Sequence, residues 1–190
     1  MPFTGGIKLG IATPPAARLS FASFDLLPGA RRDDLAGLLR RWSVAAERMT
    51  RGLSPEAEAH RPAQPPLDSG EALGVPPCRL TVTFGLGPDV FHPRLGLAAA
   101  RPRRLEPLPA MPGDALSAAR CGGDLMIQAC AEDAMVSYHA IRHLVRLASG
   151  TARVRWLQQG FGATATTTPA PLDPAEALRA QGRHRQSHHR

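Results

Sequence analysis

Residues 124–161 change hydrophobic period twice, and this stretch limits the possible folds more than any other part of the chain. Leu125, Ile127 and Ala129 alternate with Met126, Gln128 and Cys130, the two-residue repeat of a strand with one buried face. Over residues 133–149 the period lengthens. Val136, Ala140, Leu144, Leu147 and Ala148 recur at spacings that line one side of a helix. Gly150 ends it, because glycine reaches the left-handed conformation that helix C-termini commonly need. Val154, Trp156 and Gln158 then alternate with Arg153, Arg155 and Leu157. The stretch reads strand, helix, strand.

The first half of the chain supplies the matching elements. Residues 19–26 place Leu19 and Phe21 on one face and Ala22, Phe24 and Leu26 on the other, which predicts a central strand buried on both sides. Pro28-Gly29 turns the chain, and Asp33 is the predicted cap of a helix carrying Leu35, Leu38, Leu39, Trp42, Ala45, Ala46 and Met49, with Gly52 as its stop. Residues 78–85 alternate cleanly, with Leu80, Val82 and Phe84 in and Arg79, Thr81 and Thr83 out. The connections are proline-rich: an arm at 1–15, a loop at 53–77, and a long loop at 86–123 whose Arg94, Arg101, Arg103 and Arg104 suggest cover for a partner surface. The order β-α-β-β-α-β predicts an α+β, ferredoxin-like fold. Two helices cover one face of a four-stranded antiparallel sheet, with long Pro/Gly-rich loops between elements.

A chain of 190 residues with 43 % apolar and 21 % charged residues suits one domain with ample core. Its net charge of +7 invites a nucleic-acid reading, but the basic residues are scattered and aromatics make up only 5 %, so no stacking platform is evident and no nucleic-acid partner is expected. Cys78, Cys121 and Cys130 form no CxxC pair, and their odd number closes no disulfide framework. They read as free thiols. No apolar run approaches the roughly 18 residues of a membrane span, and the N-terminus lacks the layout of a signal peptide, so the chain as written is expected in the cytoplasm.

Candidate chemistry is sparse. His139 and His143 stand four apart on the second predicted helix and could face one metal, but no HExxH motif or Cys/His pair accompanies them, so a solvated place at the helix edge is expected. His184, His188 and His189 in the tail could hold metals loosely. Gly85, Gly87, Gly160 and Gly162 open no helix and read as turn and strand-end glycines. Asp68-Ser69-Gly70-Glu71 supplies polar groups that read as a turn followed by a helix cap. No residue is assigned as catalytic, cofactor-binding or metal-ligating.

Several stretches together resemble the N-terminal half of a dye-decolourising (DyP-type) haem peroxidase, a family with Tat-exported and deferrochelatase-like, iron-uptake-linked members. They are Pro2-Phe3-Thr4-Gly5 with Gly10-Ile11-Ala12-Thr13-Pro14, then Asp68-Ser69-Gly70-Glu71-Ala72-Leu73-Gly74, then Arg79-Leu80-Thr81-Val82-Thr83-Phe84-Gly85. Gly113-Asp114, Gly123-Asp124-Leu125, Gln128-Ala129-Cys130-Ala131, Arg155-Trp156 and Gly160-Phe161-Gly162 complete the set, in family order over residues 1–170. Ile7-Lys8-Leu9 departs from the polar residues that relatives place there.

The resemblance implies two ferredoxin-like domains in the whole protein, haem b held mainly by the second, and peroxide-dependent oxidation of dyes or porphyrins. The family's distal acid lies in a Gly-x-x-Asp-Gly motif just past the first domain, followed by the proximal His and a distal Arg. None is present here, and neither His139 nor His143 matches the ligand position. The chain alone is therefore expected to be an inactive, truncated fragment that binds no haem and self-associates through apolar surface left exposed. The alternative is a non-enzymatic ferredoxin-like module for ligand binding or dimerisation. Residues 1–172 form the expected domain, and 173–190 an expected disordered basic tail, with four Arg against one Asp and one Glu. Read one nucleotide later with free codon choice, that tail permits Gly-Leu-Arg-Asp-Gly-Thr, so a frameshift between about Thr168 and Asp173 is expected. Tat-dependent relatives are exported or periplasmic.

Overall fold

The computed structural model describes residues 16–55, 68, 70–72, 74–106 and 108–162. The arm at 1–15, much of the connection at 53–77 and the tail at 173–190 lie outside the described residues. Strands β1 (Arg18–Leu26), β2 (Thr81–Leu86), β3 (Leu125–Ala131) and β4 (Ala152–Phe161) form a four-stranded antiparallel sheet in the order β2-β3-β1-β4. Helix α1 (Arg32–Thr50) follows β1, and α2 (Ala134–Leu147) follows β3. This is the predicted ferredoxin-like arrangement, with β1 in the interior of the sheet.

Register decides which side chains share a face. Ile127 opposes Ala22 on one side and Phe84 on the other, so these residues, with Phe24, Leu125 and Ala129, point at the helices. There they meet Leu35, Leu38, Trp42, Ala45 and Met49 of α1 and Val136, Ala140 and Leu144 of α2 in one apolar core. Trp42 sits at its centre, fully buried, stacked on Phe84 at 5.5 Å and tilted against Phe24 at 5.3 Å. Its indole Nε1 donates to the Leu144 carbonyl at 2.9 Å, which ties the two helices together.

The opposite face carries Leu19 and Phe21 of β1, Met126, Gln128 and Cys130 of β3, and Trp156 of β4. Neither α-helix lies over it, but the segment after the 3-10 turn at Ala118–Arg120 covers part of it: Gly122 O accepts from Ser23 Oγ at 2.7 Å and from Trp156 Nε1 at 3.2 Å. Phe21 and Trp156 stack on it at 4.9 Å, whereas Phe161, 80 % exposed at the end of the edge strand, pairs with Arg18 on the helix side of the sheet. Between Ser23 and Phe24 the register with β4 shifts by one, leaving Arg155 as the extra residue of a bulge. The ladder then closes the domain: Arg18 pairs with Phe161, and Gly162 N donates to Ala17 O at 3.0 Å.

Three boundaries differ from the sequence expectation. The cap of α1 is Arg31 rather than Asp33, because Asp34, at the third helical position, folds its carboxylate back onto the Arg31 amide at 2.9 Å. β2 begins at Thr81, not at residue 78, because Cys78 and Arg79 adopt φ of 44° and 57°, left-handed values no strand contains. They form a turn closed by Leu80 N to Pro77 O at 2.7 Å and held to the end of β3 by Glu132 N, which donates to Cys78 O at 2.9 Å. The connection at 86–123 is not featureless. It holds four 3-10 turns, Pro88–Phe91, Pro93–Leu95, Ala98–Ala100 and Ala118–Arg120, and buries Val90 and Leu95 in the domain's own core.

Two glycines fix where that connection meets the sheet. A Cβ on Gly123, whose φ is 125°, would overlap Ser23 Oγ, and one on Gly87 would overlap the Gly123 carbonyl. The close approach lets Asp124 N donate to Phe24 O and Gly87 N to Asp124 O, both at 2.7 Å. The Asp124 carboxylate accepts from Leu26 N at 2.7 Å. Gly87 is thus a strand-end glycine, as its sequence context predicts.

Candidate functional site

The N-terminus of α2 is capped by Asp133, whose carboxylate accepts from the amides of Met135 at 2.7 Å and Val136 at 3.2 Å. From this start, Val136, Ala140 and Leu144 face the sheet, and His139 and His143 stand beside them, three and seven residues on from Val136. The sequence expectation of a solvated helix edge is wrong for both histidines. His139 is 4 % exposed and His143 2 % exposed. The reason lies outside the helix: Asp68 and Glu71 meet His139 directly, and Met49 near the end of α1, Val75 and Pro76 line the cleft beside it.

His139 is held between two carboxylates. Its Nδ1 lies 3.0 Å from Glu71 Oε2 and its Nε2 3.5 Å from Asp68 Oδ1. Glu71 turns its other oxygen, Oε1, to the guanidinium of Arg142, one turn along the same face of α2. Asp68 Oδ1 also accepts from Gly70 N at 2.9 Å, an Asx turn that presents the carboxylate. The turn expected at residues 68–71 is therefore present. The expected helix cap is not: described residues 70–72 and 74 are not helical, and Glu71 is spent on His139 and Arg142. Beside these groups lies a cleft of about 60 Å³, lined by Met49, Leu53, Asp68, Pro76, Val136 and His139 among others.

His143 belongs to a different environment. Burial lowers its pKa to about 4, with the Arg146 guanidinium adding to the effect, so its imidazole is neutral near pH 7. Its ring lies 6.4 Å from that of His139 and does not share the two carboxylates. The His139/His143 metal pair considered from the sequence is not what the structure brings together; it brings together His139, Asp68 and Glu71. The sequence signal for that trio was weak: the Asp68/Glu71 pair lies in a loop of Pro, Glu, Ala and Arg that also carries Glu56 and Glu58. Burial raises the Cys130 thiol above its usual value, which keeps it protonated and poorly nucleophilic.

The described residues do not fit haem. His139 has both ring nitrogens facing carboxylates, and His143 is buried in the helix packing. The cleft of about 60 Å³ is far below the roughly 300–1,000 Å³ of a cofactor pocket. His92, in the connection after β2, uses Nδ1 to accept from the Arg94 amide at 3.3 Å.

Fold and site define an α+β domain of ferredoxin-like class, with a carboxylate-held histidine on its second helix. The chain belongs to the DyP-type peroxidase family: the family's model for the N-terminal part, "Dyp-type peroxidase, N-terminal", matches residues 8–162. Family members are haem peroxidases. The chain is 35 % identical over 161 residues to the deferrochelatase of Escherichia coli strain K12, covering 84 % of this chain but only 38 % of that protein. Among solved structures, ferric DtpA from Streptomyces lividans is 41 % identical with a TM-score of 0.77, over 90 % of this chain and 44 % of its own. The DyP-type peroxidase from Cellulomonas bogoriensis is 35 % identical with a TM-score of 0.74, over 93 % and 45 %. The chain thus spans less than half the length of these relatives. Among the described residues, no helix is long and apolar enough to cross a membrane.

Proposed function

We propose that residues 1–172 are the N-terminal domain of a DyP-type haem peroxidase whose whole form oxidises dyes or porphyrins with hydrogen peroxide. The observation that carries this reading is the family match over residues 8–162, on a chain with the fold of relatives 41 % identical to it. The domain's part is structural. Its helices close a core of their own, and the sheet face away from them offers the half-buried, stacked Phe21 and Trp156 as a packing surface. The acid that moves a proton between peroxide oxygens and the histidine that holds iron belong, by the family resemblance, to the stretch of relatives that this chain does not span. Cys78, Cys121 and Cys130 are free thiols, which supports a reducing compartment such as the cytoplasm.

On this reading the isolated chain neither holds haem through a histidine nor turns over peroxide. Titration with haemin should give weak, non-stoichiometric absorbance changes and no peroxide-dependent bleaching of an anthraquinone dye. A one-to-one His-ligated spectrum that disappears in His139→Ala or His143→Ala, with dye bleaching, would overturn the reading.

The sheet face away from the helices favours a second reading, in which the isolated chain self-associates. Contiguous apolar surface of a few hundred Å² marks a partner surface. Sedimentation at rising concentration should show dimers or larger species, and Phe21→Ser with Trp156→Ser should return the chain to monomer. A strictly monomeric wild-type chain that binds no hydrophobic dye would count against it.

A further inference from the structure

We propose that Asp68, Glu71 and His139 form a binding site for one divalent transition-metal cation, of the Mn²⁺, Fe²⁺ or Zn²⁺ class. One ligand atom from each of the three lies within 4.8 Å of the other two. Metal bonds of about 2.0–2.2 Å put neighbouring ligand atoms roughly 3 Å apart. Glu71 Oε2 and His139 Nδ1 already stand at 3.0 Å, the spacing of two adjacent ligands on one ion. Asp68 Oδ1, now 3.5 Å from Nε2, would swing towards Nδ1 to join the same ion.

Charge and chemistry select the class of ion. Two carboxylates and an imidazole match a divalent cation. An imidazole ligand favours transition metals over Ca²⁺ and Mg²⁺, whose shells are built from oxygen. Arg142, paired with Glu71 Oε1, fixes the carboxylate so that Oε2 faces His139, the orienting role that outer partners play around metal ligands.

The cleft is a second, independent feature. Asp68 and His139 both line it, and its volume of about 60 Å³ holds the few waters that would complete a three-residue coordination set. His139 is buried on α2, whereas Asp68 and Glu71 are about one-fifth exposed in a segment some 70 residues earlier. A bound ion would staple that segment to the helix. The site has no established counterpart in the peroxide chemistry proposed above and does not rest on it.

The test uses the full chain with His184, His188 and His189 replaced by Ala, so that tail histidines contribute nothing. Co²⁺ is titrated in as a coloured probe, with Zn²⁺ as competitor. Saturation at one Co²⁺ per chain is expected, with visible d–d bands that Zn²⁺ abolishes. Asp68→Asn and Glu71→Gln should each weaken binding by about tenfold or more, and His139→Ala should remove the bands. Circular dichroism identifies any variant that has not folded. Should one fail, NMR of the chain with its ligands intact decides, because bound Co²⁺ must shift the His139 ring protons. Absence of saturable Co²⁺ absorption, affinity unchanged in the folded variants, or an unshifted His139 ring would each overturn the proposal. The trio would then be a hydrogen-bonded latch between the Asp68–Glu71 turn and α2.

Discussion

Trp42→Ala should unfold a large share of the molecules at room temperature. The indole is fully buried and touches Phe84 of β2, Phe24 of β1 and, through its N–H, the Leu144 carbonyl of α2. Removing a buried Trp side chain costs about 3–5 kcal/mol, because lost burial and an unfilled cavity add together. The lost indole hydrogen bond adds about 1 kcal/mol, while the Leu144 carbonyl keeps the Ala148 amide as a donor at 3.2 Å. Against a total stability of roughly 5–15 kcal/mol, that loss is severe for a small domain. Trp42→Phe, which keeps most of the ring but not the N–H, should cost less than half as much. Urea unfolding followed by far-UV circular dichroism separates the two, and equal midpoints would show that the ring volume kept by Phe contributes nothing.

Acid should destabilise the domain through His143. Its pKa in the folded state is about 4, below the ordinary value of 6.5, because of burial and then Arg146; Asp68 and Glu71 oppose the shift and His139 adds to it. As pH falls below about 6.5 the unfolded chain takes up a proton that the folded chain refuses, so the unfolded state binds more protons. Stability is therefore complete above that value and declines as pH falls towards 4. Below that the folded state is protonated too, and the decline from this residue ends. A shift of this size corresponds to about 3 kcal/mol, at 1.36 kcal/mol per pH unit. His143→Gln, which carries no titrating group, should flatten the slope of stability against pH between 6.5 and 4. A slope identical in wild type and variant would mean that the carboxylates alone drive acid unfolding.

The order of elements was legible because each carries its own period. Residues 125–131 alternate, residues 134–147 recur every third or fourth position, and the exposures follow both patterns. Helix α2 begins at Ala134, one residue into the stretch 133–149 where the helical period starts. What escaped is what periodicity cannot encode. The alternation of 78–85 runs through Cys78 and Arg79 without revealing their left-handed backbone, since the pattern reports which side chains are apolar and not how the chain turns. Asp33 and Asp34 are equally good cap residues by composition, and only the geometry of the first turn selects Asp34 as the group that reaches back.

The histidines failed for a related reason. His139 and His143 widen the apolar stripe of α2, but a polar residue on a stripe is buried only if something covers it. For His139 that cover includes Asp68 and Glu71, from a stretch with no period, and the Glu71 carboxylate that meets it is 68 residues away in sequence. The long connection at 86–123 likewise hides Val90 and Leu95, two core residues, among prolines and arginines that read as surface.

The meeting of Arg18 with Phe161 has a mechanical consequence. The described domain receives tension from its two ends at one edge of the β1–β4 ladder, where Gly162 N also bonds Ala17 O. In neighbouring antiparallel strands loaded at the same end, hydrogen bonds break one pair after another, as teeth part in a zip, instead of sharing the load. β4 therefore peels from Phe161 towards Ala152, while β2 and β3 on the far side carry no force until it has gone. A machine pulling on both ends meets little resistance, however stable the core around Trp42 is against heat or urea.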